Sequence, residues 1–203
     1  MADTVPSCVD ATQTPLLQAF HDHEWGEPVT EPGILFEYLV LHSFQIGFDF
    51  PVVLGRREAF REYLAGFDPE RLAQFGEAEI DELLQNPRII RNRRKLEATV
   101  QNARAWVRLR RELGGEEHLL PFFYAFVGGQ PLDNQRRPDT AAPSSTAASL
   151  AMSKELKRRG FAMTGPVTCY NLMQTAGLVN DHTVACPQHR KCHMLATDFN
   201  INS

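Results

Sequence analysis

Apolar side chains recur every three or four residues along most of this 203-residue chain, and this periodicity limits the possible folds more than any other feature of the sequence. The longest such run covers residues 96–107, and Gly114-Gly115 follows it as a helix stop. Asp68-Pro69 is a helix start, because Asp caps free N–H groups and proline fits the first turn. Further helices are predicted over residues 35–43, 77–85, 119–127, 149–160 and 168–178. With no strand alternation and no internal repeat, we expect an all-α fold in one domain, residues 1–203.

Composition and the N-terminal sequence favour a cytoplasmic protein with reduced thiols. Apolar residues make up 43% of the chain, but no run reaches the roughly 20 residues that a membrane helix needs. The first residues lack the basic and apolar segments of a secretory signal. We therefore expect no membrane partner and four cysteines that are thiols or metal ligands. Residues 129–146 hold three prolines and many small polar residues, which predict a loop.

The formal net charge of -4 conceals two separated basic clusters. Residues 88–111 carry nine basic side chains and one acidic side chain, so this segment has a charge of +8 and the remainder -12. A second basic cluster lies at residues 154–159. Since local charge sets the attraction to a phosphate backbone, the negative total does not exclude nucleic acid. Ordinary solvated helix faces are the alternative interpretation.

Cysteine and histidine residues lie near both ends of the chain. Cys8 and His21 stand near the N-terminus, and His182 and Cys186 near the C-terminus. Two cysteines and two histidines can form a closed tetrahedral zinc site, a geometry that is structural rather than catalytic. The four-residue spacing between His182 and Cys186 is expected to place both on one helix face.

Spacing alone leaves other metal-binding interpretations open. The four residues could be unrelated, or the tail Cys186-x-x-His189-x-x-Cys192-His193 could bind a metal locally. The pair His21-x-His23 also occurs in metal hydrolases. Those enzymes are usually large α/β barrels, and this short chain has no strand–helix alternation.

Six sequence blocks, in order, resemble the 3-methyladenine DNA glycosylase I family of the helix-hairpin-helix glycosylase superfamily. The blocks are HDHEWG at 21–26, LFE at 35–37, IIRNR at 89–93 with Lys95, KRRGF at 157–161, CY at 169–170 and GLVNDH at 177–182. They cover about residues 8–186 and leave 187–203 as a tail. The resemblance implies an all-α, helix-hairpin-helix fold in which a structural zinc joins the N- and C-terminal segments. Its implied ligands are Cys8, His21, His182 and Cys186.

The resemblance also implies a DNA base-excision repair enzyme that hydrolyses the N-glycosidic bond of alkylated bases of the 3-methyladenine type. Its substrate would be double-stranded DNA with a damaged base, which is flipped out of the stack, and no protein partner is required. The DNA-binding hairpin of the family corresponds to about residues 83–95. The implied DNA-binding residues are Gly47 and Phe48 as a wedge, Arg91, Arg93, Lys95 and Lys157. A core aromatic is the alternative for Phe48.

The base pocket departs from the family pattern, although the metal ligands do not. The changed positions are Asp10, Phe20, His42 and Phe50, whereas Gln45 is retained. His42 replaces a glutamate, and a neutral imidazole accepts one hydrogen bond where a carboxylate would attract a cationic base. We take His42 and Asp49 as candidate catalytic residues and the other four as base-pocket residues. A satisfied core histidine, a helix cap at Asp49 and a surface loop at Asp10 remain open.

The same departures leave two other functions open. One is a non-catalytic or specificity-shifted DNA-binding, damage-sensing homologue. The other is a structural zinc protein unrelated to DNA. Arg88 adds a further departure, since the family commonly has a glycine there, and a left-handed backbone at this position would strain the hairpin.

Overall fold

The computed structural model describes residue 8 and residues 14–199, and these are mostly helical. The helices are α1 Pro15–His23, α2 Pro32–Gln45, α3 Phe50–Leu54, α4 Arg57–Tyr63, α5 Pro69–Leu72, α6 Glu77–Gln85, α7 Arg93–Leu113, α8 Leu119–Tyr124, α9 Ala147–Arg158, α10 Pro166–Thr175 and α11 Pro187–Asp198. The described residues also form two strands, β1 Leu132–Asp133 and β2 Val179–Asn180, and short 3-10 turns. None of the helices in this part of the chain is long and apolar enough to cross a membrane.

The predicted helices are present, with small shifts at their ends. Helix α6 spans the predicted residues 77–85, and α7 ends at Leu113 before Gly114, which has a left-handed backbone. The Asp68 carboxylate accepts hydrogen bonds from the backbone N–H groups of Glu70 and Arg71, and so caps α5 as expected. The helix predicted over 119–127 is divided into α8 and a following 3-10 turn.

The strict all-α expectation needs one correction. Within the predicted loop 129–146, β1 pairs in parallel with β2, Leu132 opposite Val179 and Asp133 opposite Asn180. An isolated bridge between Arg136 and Thr183 extends this contact. Two-residue strands are too short to show alternation in a sequence, and their pairing depends on residues about 47 positions apart.

Helix α2 is the centre of the structure. All eleven of its residues from 35 to 45 are buried, and it packs against α3, α7 and α10. A helix that is apolar on most sides has no face for solvent, so it is stable only inside a ring of other helices. The candidate site residues at its C-terminal end, His42 and Gln45, therefore have positions fixed by three neighbouring helices.

The connection between α10 and β2 requires a glycine. Gly177 has a φ of +65°, and a Cβ at this position would lie 2.3 Å from the backbone of Glu27 and Pro28. Beside it, the Val29 N–H donates to the Ala176 carbonyl at 3.1 Å. This close approach of two backbones joins the segment after α1 to the end of α10.

We expect Gly177→Ala to lower the free energy of unfolding by about 3 kcal/mol, because it combines a left-handed backbone with a backbone clash. Urea denaturation measures the change. Gly33→Ala is the matched control, because that exposed helical glycine has no atom within 4 Å of an added Cβ, and we expect it to be neutral or to stabilise by up to about 1 kcal/mol. Equal stability of the two variants would contradict the role assigned to Gly177.

Candidate functional site: a four-ligand cluster and a cavity at the end of helix α2

The two chain ends meet at a cluster of thiol and imidazole groups. Cys8 Sγ lies 3.5 Å from His182 Nδ1, and Cys186 Sγ lies 3.7 Å from both His182 Nδ1 and His21 Nε2. One ligand atom from each of the four residues falls within 4.8 Å of the others. Elsewhere in the described part of the chain, no further group of three or more His, Cys, Asp or Glu residues meets this criterion.

The spacing of these atoms matches tetrahedral coordination. With Zn–S bonds of about 2.3 Å and Zn–N bonds of about 2.0–2.1 Å, a tetrahedral site separates sulfur from nitrogen by about 3.6 Å. The three S···N distances in the cluster, 3.5 to 3.7 Å, agree with this value. The donor set therefore could hold a metal ion.

Neighbouring groups fix the orientation of both imidazoles. His21 Nδ1 lies 2.8 Å from an Asp22 carboxylate oxygen, and His182 Nε2 lies 2.8 Å from the Trp25 carbonyl oxygen. Each ring thus turns its other nitrogen towards the cysteines, as metal-binding histidines do. Gly26 follows directly, and a Cβ there would lie 3.0 Å from the His182 ring.

The cluster's own groups accommodate only one negative charge. Burial opposes ionisation of Cys8, but hydrogen bonds from His182, His21 and the Thr183 N–H prevail and lower the pKa of its thiol to about 4. Burial, with the charge of Cys8 adding to it, raises the pKa of Cys186 to about 11. A bound cation would be needed to hold both as thiolates.

In the C-terminal region, one expectation is wrong and one open alternative finds no support. His182 and Cys186 do not share a helix; a turn brings them together, in which the Cys186 N–H donates to the Thr183 carbonyl at 2.8 Å, and α11 begins only at residue 187. The tail does not form a local metal group either. His189 and His193 lie 3.0 and 3.1 Å from the two oxygens of the Asp133 carboxylate, and Cys192 is buried.

The second feature is a cavity of about 270 Å³ where α2 faces α10. It is lined by His42, Gln45, Ile46, Met163, Gly165, Val167, Thr168 and Asn171. Pockets for drug-sized ligands typically have volumes of about 300–1,000 Å³. This cavity is slightly smaller, and its size suits one flat base. No acidic residue is among this lining.

His42 is buried and both ring nitrogens are engaged. Its Nδ1 lies 2.8 Å from Gln45 Oε1, which can only accept, so Nδ1 carries the proton. Its Nε2 then accepts from the Thr175 hydroxyl at 2.8 Å. Burial lowers the pKa of His42 to about 4, so the ring is neutral above that pH. Phe50 stacks on it with centroids 5.3 Å apart, and Phe20 packs behind Phe50 at 5.1 Å.

The turn after α2 carries three of the predicted residues. Gly47 has a φ of +76°, Phe48 is 37% exposed, and Asp49 is exposed at the start of α3 without capping it. Lys95, predicted to contact DNA, is instead buried at 4% exposure. Its ammonium group donates to the carbonyls of Phe44 and Ile46 and lies 4.4 Å from the Phe48 ring centroid. Lys95 therefore holds this turn in place from its buried side.

The other predicted DNA-binding residues lie on the surface. Arg91 and Lys157 are exposed, and Arg91 forms no hydrogen bond or ion pair with any described residue. Arg93 is exposed but pairs with three acidic residues of α6 and α7. Arg88 does not have a positive φ, so the expected strain is absent. Instead its guanidinium bridges to Glu62 and Tyr63.

Three further residues belong to the account of the pocket: one that was predicted and two that were not. Asp10 lies outside the residues that the structure describes. Thr175 and Asn171, which contact His42 and Gln45, were missed by the sequence analysis. Their four-residue spacing places both on one face of α10, next to the Cys169-Tyr170 block, and this was the available signal.

Comparison with known proteins identifies the fold. Residues 10–189 match the model of the methyladenine glycosylase family. DNA-3-methyladenine glycosylase 1 of Escherichia coli (strain K12) is 42% identical over 179 residues, which are 88% of this chain and 94% of the relative. The 3-methyladenine DNA glycosylase I of Staphylococcus aureus is 32% identical with a TM-score of 0.85, over 91% of this chain and 97% of that chain.

A third relative was solved with a ligand. A tyrosine-to-phenylalanine variant of 3-methyladenine DNA glycosylase I, in complex with 3-methyladenine, is 33% identical to this chain. It superposes with a TM-score of 0.85 over 90% of this chain and 97% of its own length. The fold is thus that of the helical DNA glycosylases. Within that class, the chain belongs to the methyladenine glycosylase family.

The buried neutral His42 predicts a pH dependence of stability. Its folded pKa of about 4 is below the ordinary value of 6.5, so the unfolded chain binds a proton that the folded chain cannot. As the pH is lowered from 6.5 to 4, the free energy of unfolding should therefore decrease, by up to about 3 kcal/mol from this group. We expect the free energy difference between wild type and His42→Asn to shrink by about that amount over this range in urea denaturation. The control His118→Asn removes an exposed histidine, and a matching shift there would contradict the assignment.

Proposed function

We propose that this protein hydrolyses the N-glycosidic bond of alkylated bases, of the 3-methyladenine type, in double-stranded DNA. The observation that carries the proposal is the base-sized cavity beside His42 and Gln45, within a chain 42% identical to a DNA-3-methyladenine glycosylase. A base can enter such a buried pocket only after leaving the helical stack, so the proposal includes base flipping.

The surface around the cavity suits a flipped nucleotide. We assign Phe48 as the wedge, because it is a partly exposed aromatic side chain on the glycine turn that follows the pocket-lining end of α2. The buried Lys95 keeps that turn in place through two carbonyl contacts. The loop between α6 and α7 is the proposed hairpin, with Arg91 and Arg93 contacting phosphates and Lys157 extending the contact on α9.

Hydrolysis of this bond needs little acid–base catalysis from the protein. An N3-alkylated adenine carries a positive charge and departs as a neutral base, so its glycosidic bond is already weak. We assign Asp49, exposed beside the wedge, to orient water or stabilise positive charge on the sugar. His42 acts by positioning Gln45, since neither of its nitrogens is available to a ligand in this structure. Phe20 and Phe50 provide the apolar wall behind it.

We also propose that Cys8, His21, His182 and Cys186 hold a structural zinc ion. The tetrahedral spacing and the oriented imidazoles support this assignment. Such an ion supplies no chemistry to the reaction; it joins the two chain ends.

A second candidate function is DNA binding without base release. It is favoured by the cavity lining, in which the described residues include no carboxylate for a cationic base. It predicts salt-dependent binding to DNA and no free base.

Base release decides between these functions. We expect the purified wild type to liberate 3-methylated purine from methylated duplex DNA, measured by chromatography of the free bases against an enzyme-free control. Arg91→Ala should weaken DNA binding roughly tenfold at low salt and lower the salt slope by about 1. Arg93→Ala is the matched control, with a smaller effect because its charge is paired.

The possible results separate the candidates. Binding without base release at any pH from 6 to 8 would leave only the second function. Absence of DNA binding would contradict both, and equal losses in the two arginine variants would remove the distinction between paired and unpaired charge.

We expect about one zinc ion per chain in protein purified from zinc-containing medium, measured by elemental analysis. Cys186→Ala should lose the metal and unfold at a lower temperature, because binding free energy is also folding free energy. Cys192→Ala is the control, since that buried thiol is not part of the cluster. Full metal content in Cys186→Ala, or none in the wild type, would contradict the zinc assignment.

A further inference from the structure

One hydroxyl group in the wall of the cavity has no partner and yet remains accessible. Thr168 lines the cavity and is 7% exposed, and its Oγ1 forms no hydrogen bond with any described residue. Five other side-chain atoms in the described part of the chain also lack a partner, but these are sealed from solvent, and Thr168 Oγ1 is not among them. The accessible surface of this oxygen therefore lies in the cavity wall, where an entering ligand can reach it.

Unpaired backbone N–H groups lie beside this hydroxyl at the start of α10. The N-cap residue Gly165 has no side chain to cap the helix, and the first helical bond runs from the Cys169 N–H to the Gly165 carbonyl at 2.9 Å. The N–H groups of Val167 and Thr168 precede that bond and donate to no described residue. Gly165, Val167 and Thr168 all line the cavity. The N-terminal turn of α10 thus adds two donors and the positive end of the helix dipole to the cavity wall.

Contacts from two other helices hold this turn in place. Ser153 of α9 donates its hydroxyl proton to the Thr164 carbonyl at 2.6 Å. The side chain of Asn102 on α7 accepts from the Ala162 N–H at 2.7 Å and donates to the Ala162 carbonyl at 3.1 Å. Donors that are fixed in this way need no reorganisation when a group that gains electron density lies against them.

The proposed reaction changes the charge of the base in the direction that these donors favour. An N3-alkylated adenine in DNA is positive. When its bond to the sugar breaks, the electron pair stays with the base, which leaves neutral; water supplies a hydroxyl group to the sugar carbon and loses a proton to solvent. The unsubstituted ring nitrogens of the base gain electron density in this step and become better acceptors. A positive helix terminus therefore interacts more favourably with the departing base than with the bound cation.

We infer that the N-terminal turn of α10 is the donor surface for the alkylated base, and that the Thr168 hydroxyl donates to one of its ring nitrogens. This inference rests on the proposed function and deepens it, because it assigns a base-contacting residue to that reaction. An interaction that strengthens as the bond breaks raises the rate of base release more than the affinity for DNA. A DNA phosphate is the other acceptor that a helix N-terminus binds, and binding to undamaged duplex would reveal it.

Binding of free 3-methyladenine to the purified full-length protein tests the contact. By isothermal titration calorimetry, we expect Thr168→Val, which removes the hydroxyl and keeps the branched shape, to bind this base about five- to tenfold more weakly than the wild type. Thr168→Ser keeps the hydroxyl and should stay within about twofold of the wild type. Thr164→Val is the matched control, with the same expectation, because that buried hydroxyl also lacks a partner but does not line the cavity.

Single-turnover release of 3-methyladenine from methylated duplex DNA tests the role in the reaction. At saturating enzyme, Thr168→Val should slow release about tenfold, while its affinity for undamaged duplex stays within about twofold of the wild type. Thr168→Ala is a second variant without the hydroxyl, with the same expectations, in case Thr168→Val does not fold.

Several results would overturn the inference. They are absence of free-base binding by the wild type, unchanged free-base affinity or an unchanged rate of release in the variants without the Thr168 hydroxyl, and an equal loss in Thr164→Val. A comparable loss of binding to undamaged duplex would assign the turn to a phosphate instead of the base.

The outcome is separable from that of the proposed function. Weaker binding of free 3-methyladenine by Thr168→Val, with no base release from DNA by the wild type, supports the contact and contradicts the glycosylase activity. Base release by the wild type, with Thr168→Val equal to it in free-base binding and in rate, supports the glycosylase activity and contradicts the contact.

Discussion

Burial of helix α2 from residue 35 to residue 45 is the constraint on which the rest of the structure depends. A helix without a solvent face must provide a partner for each of its polar groups, because an unpaired buried group is costly. Glu37 pairs with Arg57 of α4, and the carbonyls at the C-terminal end receive the ammonium group of Lys95 from α7. His42 binds Thr175 of α10. Satisfying the polar groups of this one helix thus fixes the positions of three others.

Local signals in the sequence predict the helices well but predict side-chain surroundings poorly. The helix starts and ends could be predicted because their signals are local: the capping Asp68, the glycine after α7 and the apolar spacing. Lys95 illustrates the opposite case, because it belongs to a run of exposed cations and differs from them only in facing the carbonyls of another helix. The motif blocks identified the four candidate metal ligands, but they did not predict the turn that joins His182 to Cys186. That turn depends on a long-range bridge to Arg136, which no spacing rule contains.

The charge pattern of the sequence also changes meaning in the folded protein. Residues 88–111 carry +8 in the sequence, but several of these arginines are engaged in holding elements together. Arg110 pairs with Glu70, and Arg104 donates to the backbone carbonyls of Ala73 and Phe75, which attaches α7 to the segment before α6. Such contacts reduce the charge available to a phosphate backbone. The positive surface is therefore narrower than the sequence indicates, and Arg91 at the loop before α7 is its clearest member.

The cavity and the cluster of Cys8, His21, His182 and Cys186 are connected through the end of α10. Thr175, which binds His42, lies seven positions before His182 of the cluster, and Gly177 allows the segment between them to pack against the chain after α1. Within it, the buried Asp181 accepts hydrogen bonds from the Tyr170 hydroxyl at 2.6 Å and from Gln174 Nε2 at 2.7 Å. These bonds tie the segment back to α10. Anchoring His182 therefore restrains the end of α10 and, through Thr175, the imidazole that orients Gln45. A site that recognises its ligand by position rather than by strong acid–base chemistry depends on such restraint.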